Sequence, residues 1–242
     1  MPMEAFGLTH AGAVRPNNED ALAIELDLAV GLVADGMGGE NCGEVASAIT
    51  VEAVVAYLRR PAEEALGPGE LLKEAVRAAN REVWQAAQVR EDCSGMGSTI
   101  VLAHWRGPSL WIVNVGDSRA YLWREGTLRQ LSYDQTVAND LRTNLGLTEE
   151  QIRQYPQRNV LTMAVGSAPD VLIRAHREEL APGDLILLCS DGLWRPAGDG
   201  AMAAVLAAGG PLPAQVARLV DCANDAGGPD NITTVLLRYQ ED

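Results

Sequence analysis

The chain has 242 residues, 47% of them hydrophobic, which is enough to bury a substantial core. Its 33 Asp and Glu against 19 Lys and Arg leave a formal charge of -14, and with no basic clusters this excludes sequence-independent nucleic-acid binding. No basic segment followed by an apolar run opens the chain, and no apolar stretch is long enough to span a bilayer, so the expectation is a cytoplasmic protein with no membrane association.

Cys42, Cys93, Cys189 and Cys222 are far apart, with no Cys-x-x-Cys pair. That spacing predicts a reducing compartment and neither a zinc site nor a disulfide framework. No linker, low-complexity tract or shift in composition divides residues 1–242, so one domain is expected.

In chain order, a short strand is predicted over 3–10, followed by a polar loop through Arg15, Pro16, Asn17, Asn18, Glu19 and Asp20. Residues 21–26 and 28–34 read as a hairpin whose second strand runs into Asp35-Gly36-Met37-Gly38-Gly39. The glycines allow a sharp turn and a close backbone approach. A carboxylate beside a bare carbonyl at a strand end suits a hard divalent cation, but a turn whose Asp caps the next helix suits the stretch equally. Helices are predicted over about 43–59 and 70–89, with a Gly- and Pro-rich connection over 61–69. Strands follow over 98–105, 109–115, 119–123 and 128–131. Residues 133–157 are polar, with helical fragments over 134–142 and 148–155, and read as a surface excursion. Strands over 171–177 and 184–189, helices over 199–208 and 213–226 and a strand over 231–239 complete the chain. Helices in pairs, separated by runs of short strands, predict antiparallel sheets with helices packed outside them.

The Asp35 pattern recurs. Asp117, Asp191 and Asp230 all sit at strand ends, and Asp20 closes the Arg15 loop. Any one of them alone is more often a turn or cap residue. Brought together they would repel unless a cation lay among them, and oxygen donors select Mg²⁺ or Mn²⁺.

The ordered set Arg15-x-x-x-Glu19-Asp20, Asp35-Gly36-Met37-Gly38-Gly39, Gly97-Ser98-Thr99, Gly116-Asp117-Ser118-Arg119, Ser190-Asp191-Gly192 and Asp230-Asn231 resembles the metal-dependent serine/threonine phosphatases of the protein phosphatase 2C type, in their bacterial form. The resemblance implies an α+β fold, a four-layer α-β-β-α sandwich of two antiparallel sheets flanked by helix pairs, with a flap at about 133–157. It implies that Asp35 bridges two metal ions, that the Gly36 carbonyl completes one, and that Asp191 and Asp230 hold the other. Asp117 with Asp191 would hold a third, weaker ion. Glu19 would act through water, Asp20 and Asn231 would support the ligands, and Arg15 would bind phosphate by a forked contact. The implied reaction is hydrolysis of phosphoserine and phosphothreonine on proteins by a metal-activated water, with Arg15, Asp35 and Asp191 as catalytic residues, in a monomer opposing a kinase.

The chain departs from the family where members carry histidines. Met37, Glu40 and Gln135 stand at those positions, so the general acid is unassigned, with a metal-bound water or Glu40 as candidates. Ser98 and Met163 replace a common Thr and Arg. His10, His104 and His176 fall in or beside strands and read as structural, and Cys189 reads as core because no Gly-x-Ser-x-Gly elbow surrounds it. The alternative is a phosphoprotein-binding module without turnover, which predicts loss of a metal carboxylate. Asp35, Asp191 and Asp230 are all present. Lys73 is the only lysine and lies in a predicted helix, so no nucleotide-binding P-loop exists.

Overall fold

The computed structural model describes residues 3–38, 42–60 and 66–240. Strands β1 (Met3–His10), β2 (Asp20–Glu25) and β3 (Val30–Met37) precede helices α1 (Cys42–Leu58) and α2 (Pro68–Val89). Then come β4 (Gly97–Ser98), β5 (Ile100–Arg106), β6 (Ser109–Val115), β7 (Arg119–Arg124) and β8 (Thr127–Gln130). Short helices α3 (Val137–Leu145) and α4 (Glu149–Arg153) follow, then β9 (Arg174–Glu179), β10 (Leu185–Cys189), α5 (Asp191–Ala208), α6 (Leu212–Asp225) and β11 (Ile232–Tyr239).

One sheet has the order β1-β11-β10-β7-β8 and the other β2-β3-β5-β6-β9, with β4 paired to β3, and every pairing is antiparallel. The central strands are apolar on both faces because each sheet is covered twice. In β3, Val30 and Leu32 point toward α1 and α2, whereas Val33 points toward the other sheet. In β11, Val235 and Leu237 face the inter-sheet core, while Ile232 and Leu236 face α5 and α6. Three apolar cores therefore separate four layers, the α-β-β-α arrangement that the family resemblance implies.

The helices bury their faces differently. α2 buries Leu72, Ala75, Val76, Ala79, Val83 and Ala87, spaced by three or four residues, and Pro68 stands at its start where no N–H is required. α1 buries mostly small side chains, Ala46, Ser47, Thr50 and Ala53, while the larger Val45, Ile49, Val55 and Leu58 lie half-buried along its flanks. A small-residue face lets α1 approach β3 and α2 closely.

Several expectations need correction. The strand predicted over 98–105 is interrupted at Thr99, whose N–H bonds the Asp35 carbonyl (2.8 Å) while its side chain turns to other partners. The helix predicted from 199 begins at Asp191 and is broken at Gly198 (φ 72°, ψ 159°), just beyond Pro196. Most important, Cys42 and Cys93 form a disulfide, with Cα atoms 5.4 Å apart and a separation of 51 positions in sequence. Linear spacing concealed it because α1 and α2 fold back on each other, which brings the start of α1 to the turn after α2. The cysteine argument for a reducing compartment falls with it. Cys189 is buried in the core against α5 and α6, as predicted. Gly39, Glu40 and residues 61–65 of the predicted connection lie outside the described residues. No helix among the described residues is long and apolar enough to cross a membrane.

Candidate metal centre

The ends of β3, β6 and β10 and the beginnings of β7 and β11 share one edge of the sandwich. That edge carries a cleft of about 400 Å³ lined by Arg15, Glu19, Asp35, Gly36, Asp117, Asp191, Arg195, Asp230 and Asn231, with Asn159 and Leu161 from the segment after α4. Asp20 is paired across from Asp35 in the β2–β3 ladder but stands behind the cleft wall.

Asp35 is held by its backbone. Its N–H donates to Thr99 Oγ1 (3.0 Å), and that hydroxyl bonds Ser118 Oγ (2.6 Å), which ties β3 to the loop bearing Asp117. Gly36 cannot carry a side chain. A Cβ there would lie 1.9 Å from the Gly43 carbonyl oxygen and 2.6 Å from that of Glu19, so only glycine lets β3 meet the start of α1.

Ser190 stands just before α5 and donates its hydroxyl to Asp20 Oδ2 (2.7 Å) rather than capping the helix, and Asp191 is the first helical residue, where a negative charge is favoured. Asn231 clamps the far side. Its Oδ1 accepts from the Glu19 N–H (2.8 Å), its Nδ2 donates to the carbonyls of Ala11 (3.0 Å) and Asn17 (2.8 Å), and its own N–H donates to Asp230 Oδ1 (2.9 Å). Arg15 stands at the exposed mouth and donates to Asp230 Oδ2 (2.9 Å).

Arg195 carries no motif signature, yet it dominates one wall. Its Nη2 donates to Asp117 Oδ2 (2.5 Å) and its Nε lies 2.9 Å from Asp191 Oδ2. Asp191 and Arg195 are four residues apart, a helical neighbour relation that could have exposed the pair had the helix been expected to start at Asp191. Gln135, at a position where family members carry His, is buried. Its Oε1 accepts from the Gly116 N–H (2.7 Å) and its Nε2 donates to the Leu172 carbonyl (2.7 Å), so both ends of the amide are structural. None of the three histidines is among the described residues lining the cleft. Ser98 holds the Asp35 carbonyl (3.1 Å), and Met163 packs against the core below α2.

The electrostatics are those of a site short of positive charge. Burial raises the Asp35 carboxyl well above the ordinary range, and the charges of Asp20, Asp191, Asp117 and Asp230 raise it further. Burial pushes Asp20 to about 7 against the hydrogen bonds of Thr233 and Ser190. Burial and the Asp191 charge push Asp117 to about 6 despite Arg195. Asp191 and Glu19 are raised by burial as well. Carboxylates this reluctant to ionise together are the donor set a divalent cation would discharge, and every donor is oxygen. Among the described residues no three of these carboxylates bring oxygens within 4.8 Å of one another. The one group that does meet that spacing, Cys42, Asp92 and Cys93, has its sulfurs in the disulfide.

Fold and site together are those of a phosphatase class, and the protein phosphatase 2C family model matches residues 7–236, so the chain belongs to that family. It is 37% identical over 229 residues to the serine/threonine protein phosphatase PstP of Mycobacterium tuberculosis, covering 93% of this chain but 43% of PstP, so it spans less than half of that relative's length. It is 31% identical over 241 residues to the serine/threonine phosphatase stp of Listeria monocytogenes, across 97% of this chain and 95% of that one. The solved catalytic domain of PstP in complex with two manganese ions superposes with a TM-score of 0.87 at 31% identity, over 99% of each chain.

Proposed function

We propose that this chain is a protein serine/threonine phosphatase that hydrolyses phosphoserine and phosphothreonine monoesters with Mn²⁺ or Mg²⁺ bound at the cleft. The observation that carries the reading is the gathering of Asp35, Asp191, Asp230 and the Gly36 backbone at one sheet edge beside Arg15. Asp35 would be shared between two ions, Gly36 would offer its carbonyl to one, and Asp191 and Asp230 would hold the other. Bound there, such ions supply Lewis acidity toward phosphoryl oxygens and make a water nucleophilic near neutral pH.

The chain's own residues bind and orient. Arg15, already at the mouth on Asp230, exchanges part of that contact for a forked pair of hydrogen bonds to phosphate, which strengthen as charge builds on the phosphoryl oxygens. Glu19 accepts from water, while Asp20 and Asn231 keep β3 and Asp230 in place. No side-chain nucleophile is required: Cys189 is buried, with its thiol pushed up by burial. Met37 has no proton to give and Gln135 is fully engaged, so water protonates the leaving oxygen unless Glu40, outside the described residues, does so.

Residues 1–242 act in this reading as one catalytic domain. The segment at about 133–157 is its flap, and its continuation, Asn159 and Leu161, meets the substrate at the cleft. The substrates are phosphorylated proteins, the opposing enzyme is a serine/threonine kinase, and the protein works as a cytoplasmic monomer. Release of phosphate from a phosphothreonine peptide should require Mn²⁺ or Mg²⁺, cease with chelator and fall by orders of magnitude in Asp35→Asn. Tight peptide binding without release would instead identify a binding module.

A further inference from the structure

The family resemblance implies a third, weaker cation between Asp117 and Asp191. In this chain a guanidinium stands beside that pair of carboxylates. Arg195 spans both carboxylates, with Nη2 on Asp117 Oδ2 (2.5 Å) and Nε 2.9 Å from Asp191 Oδ2. Asp117 is nearly enclosed, with 4% of its side chain exposed, so the partner it has is the one the fold supplies.

The guanidinium is braced as well as paired. Trp194 donates its indole N–H to the Asp117 carbonyl (3.1 Å), and its ring lies 4.9 Å from the Arg195 guanidinium carbon. The same ring stacks on Arg119 (3.4 Å), which grips Asp134 through a fork of hydrogen bonds between 2.6 and 3.1 Å. Arg195 also shares α5 with Asp191, one turn on, so its position follows from the helix itself.

We propose that Arg195 is a built-in cation that takes the place of the third metal ion, leaving this a two-ion phosphatase. The inference rests on the two-ion reading above. Asp117 and Asp191 do not fit a third ion here because a charge that is never lost near neutral pH is hydrogen-bonded to one oxygen of Asp117 and forms an ion pair, without hydrogen-bond geometry, at 2.9 Å from one oxygen of Asp191. A tethered group competes at an effective concentration on the order of millimolar or more, which a weakly bound free ion does not overcome. Arg195 thus acts as a positioning residue for Asp117 and Asp191. Its charge faces the cleft, where the phosphoryl group is expected.

Mn²⁺ titration of the metal-free protein by calorimetry, with bound ions counted by electron paramagnetic resonance, tests this. The expected result is two Mn²⁺ per chain in the wild type and in Arg195→Lys, and a third, weaker Mn²⁺ in Arg195→Ala. Asp117→Asn should still bind two. Three ions in the wild type, or two in a folded Arg195→Ala, would overturn the proposal. If Arg195→Ala does not fold, the wild type and Asp117→Asn decide it: two ions in each support the built-in cation, and three falling to two refute it. Absence of any tight Mn²⁺ in the wild type would overturn the two-ion reading itself, an outcome distinct from three.

Discussion

At the scale of single residues, the centre stores repulsion. Asp20, Asp35 and Asp117 bind protons more tightly in the folded chain than in the unfolded one, for burial and mutual charge raise all three. The sign follows from linkage. Stability from a carboxyl raised in this way is complete below its unfolded value and is lost as pH rises through its folded value. Asp117 brings its share of that loss to an end near pH 6 and Asp20 near pH 7, and Asp35, raised well above the ordinary carboxyl range by burial, adds to it in the same direction. His104, whose pKa is lowered by burial, is neutral in both states over most of this range, and the lowered carboxyls of Glu70, Glu149, Glu178 and Glu179 titrate far below it. The metal-free protein should therefore melt at a lower temperature at pH 8.5 than at pH 7, and saturating Mn²⁺ should raise the melting temperature more at the higher pH. A metal-free melting temperature that climbs over this interval would contradict the assignment of a crowded, uncompensated centre.

At the scale of elements, the connection between β6 and β7 carries Asp117 and is pinned from below. Gln135 takes the buried Gly116 N–H, Asn114 holds the Tyr133 backbone at both ends of its amide (2.8 and 3.2 Å), and Arg119 forks onto Asp134. A histidine could serve chemistry at position 135, but this chain has given the position to architecture. Gln135→Ala leaves a buried amide N–H without a partner, at a cost of roughly 1–3 kcal/mol. Urea unfolding should register that loss with an unchanged slope, along with a reduced turnover, because the loop bearing Asp117 loosens. Wild-type stability in Gln135→Ala would show that the amide merely fills space.

At the scale of the whole molecule, the Cys42–Cys93 disulfide staples the start of α1, next to the Gly36–Gly43 contact, to the turn that follows α2. Closing a loop of 51 residues removes unfolded-state freedom worth about 4 kcal/mol in the chain-entropy account. Reduction, or Cys93→Ser, should lower the unfolding free energy by up to that amount, seen as a lower unfolding midpoint, while the four layers persist. An unchanged midpoint in protein whose bond is shown by mass to be open would remove the disulfide from the list of stabilising features.

The sequence by itself determined the order of the elements, the strand-end carboxylates and the family. The apolar runs of β3 and β11, the helical spacing of Ala75, Ala78, Ala79 and Val83 and the Asp-Gly pairs are local, and local patterns survive in a linear reading, although the same spacing marks Leu71 where the structure buries Leu72. The positions of Asp35, Asp117, Asp191, Asp230, Glu19, Arg15 and Asn231 were likewise legible, since each sits in a short motif at a predicted strand end or loop. Only the tertiary structure decided what depends on contacts between distant segments. It joined Cys42 to Cys93, turned Gln135 inward to Gly116, and carried α5 back to Asp191 so that Arg195 fell between two carboxylates. Pro196 and Gly198 had hidden that helix start, because local propensity weighs against a helix that packing against Asn231 and the end of β10 nevertheless holds in place.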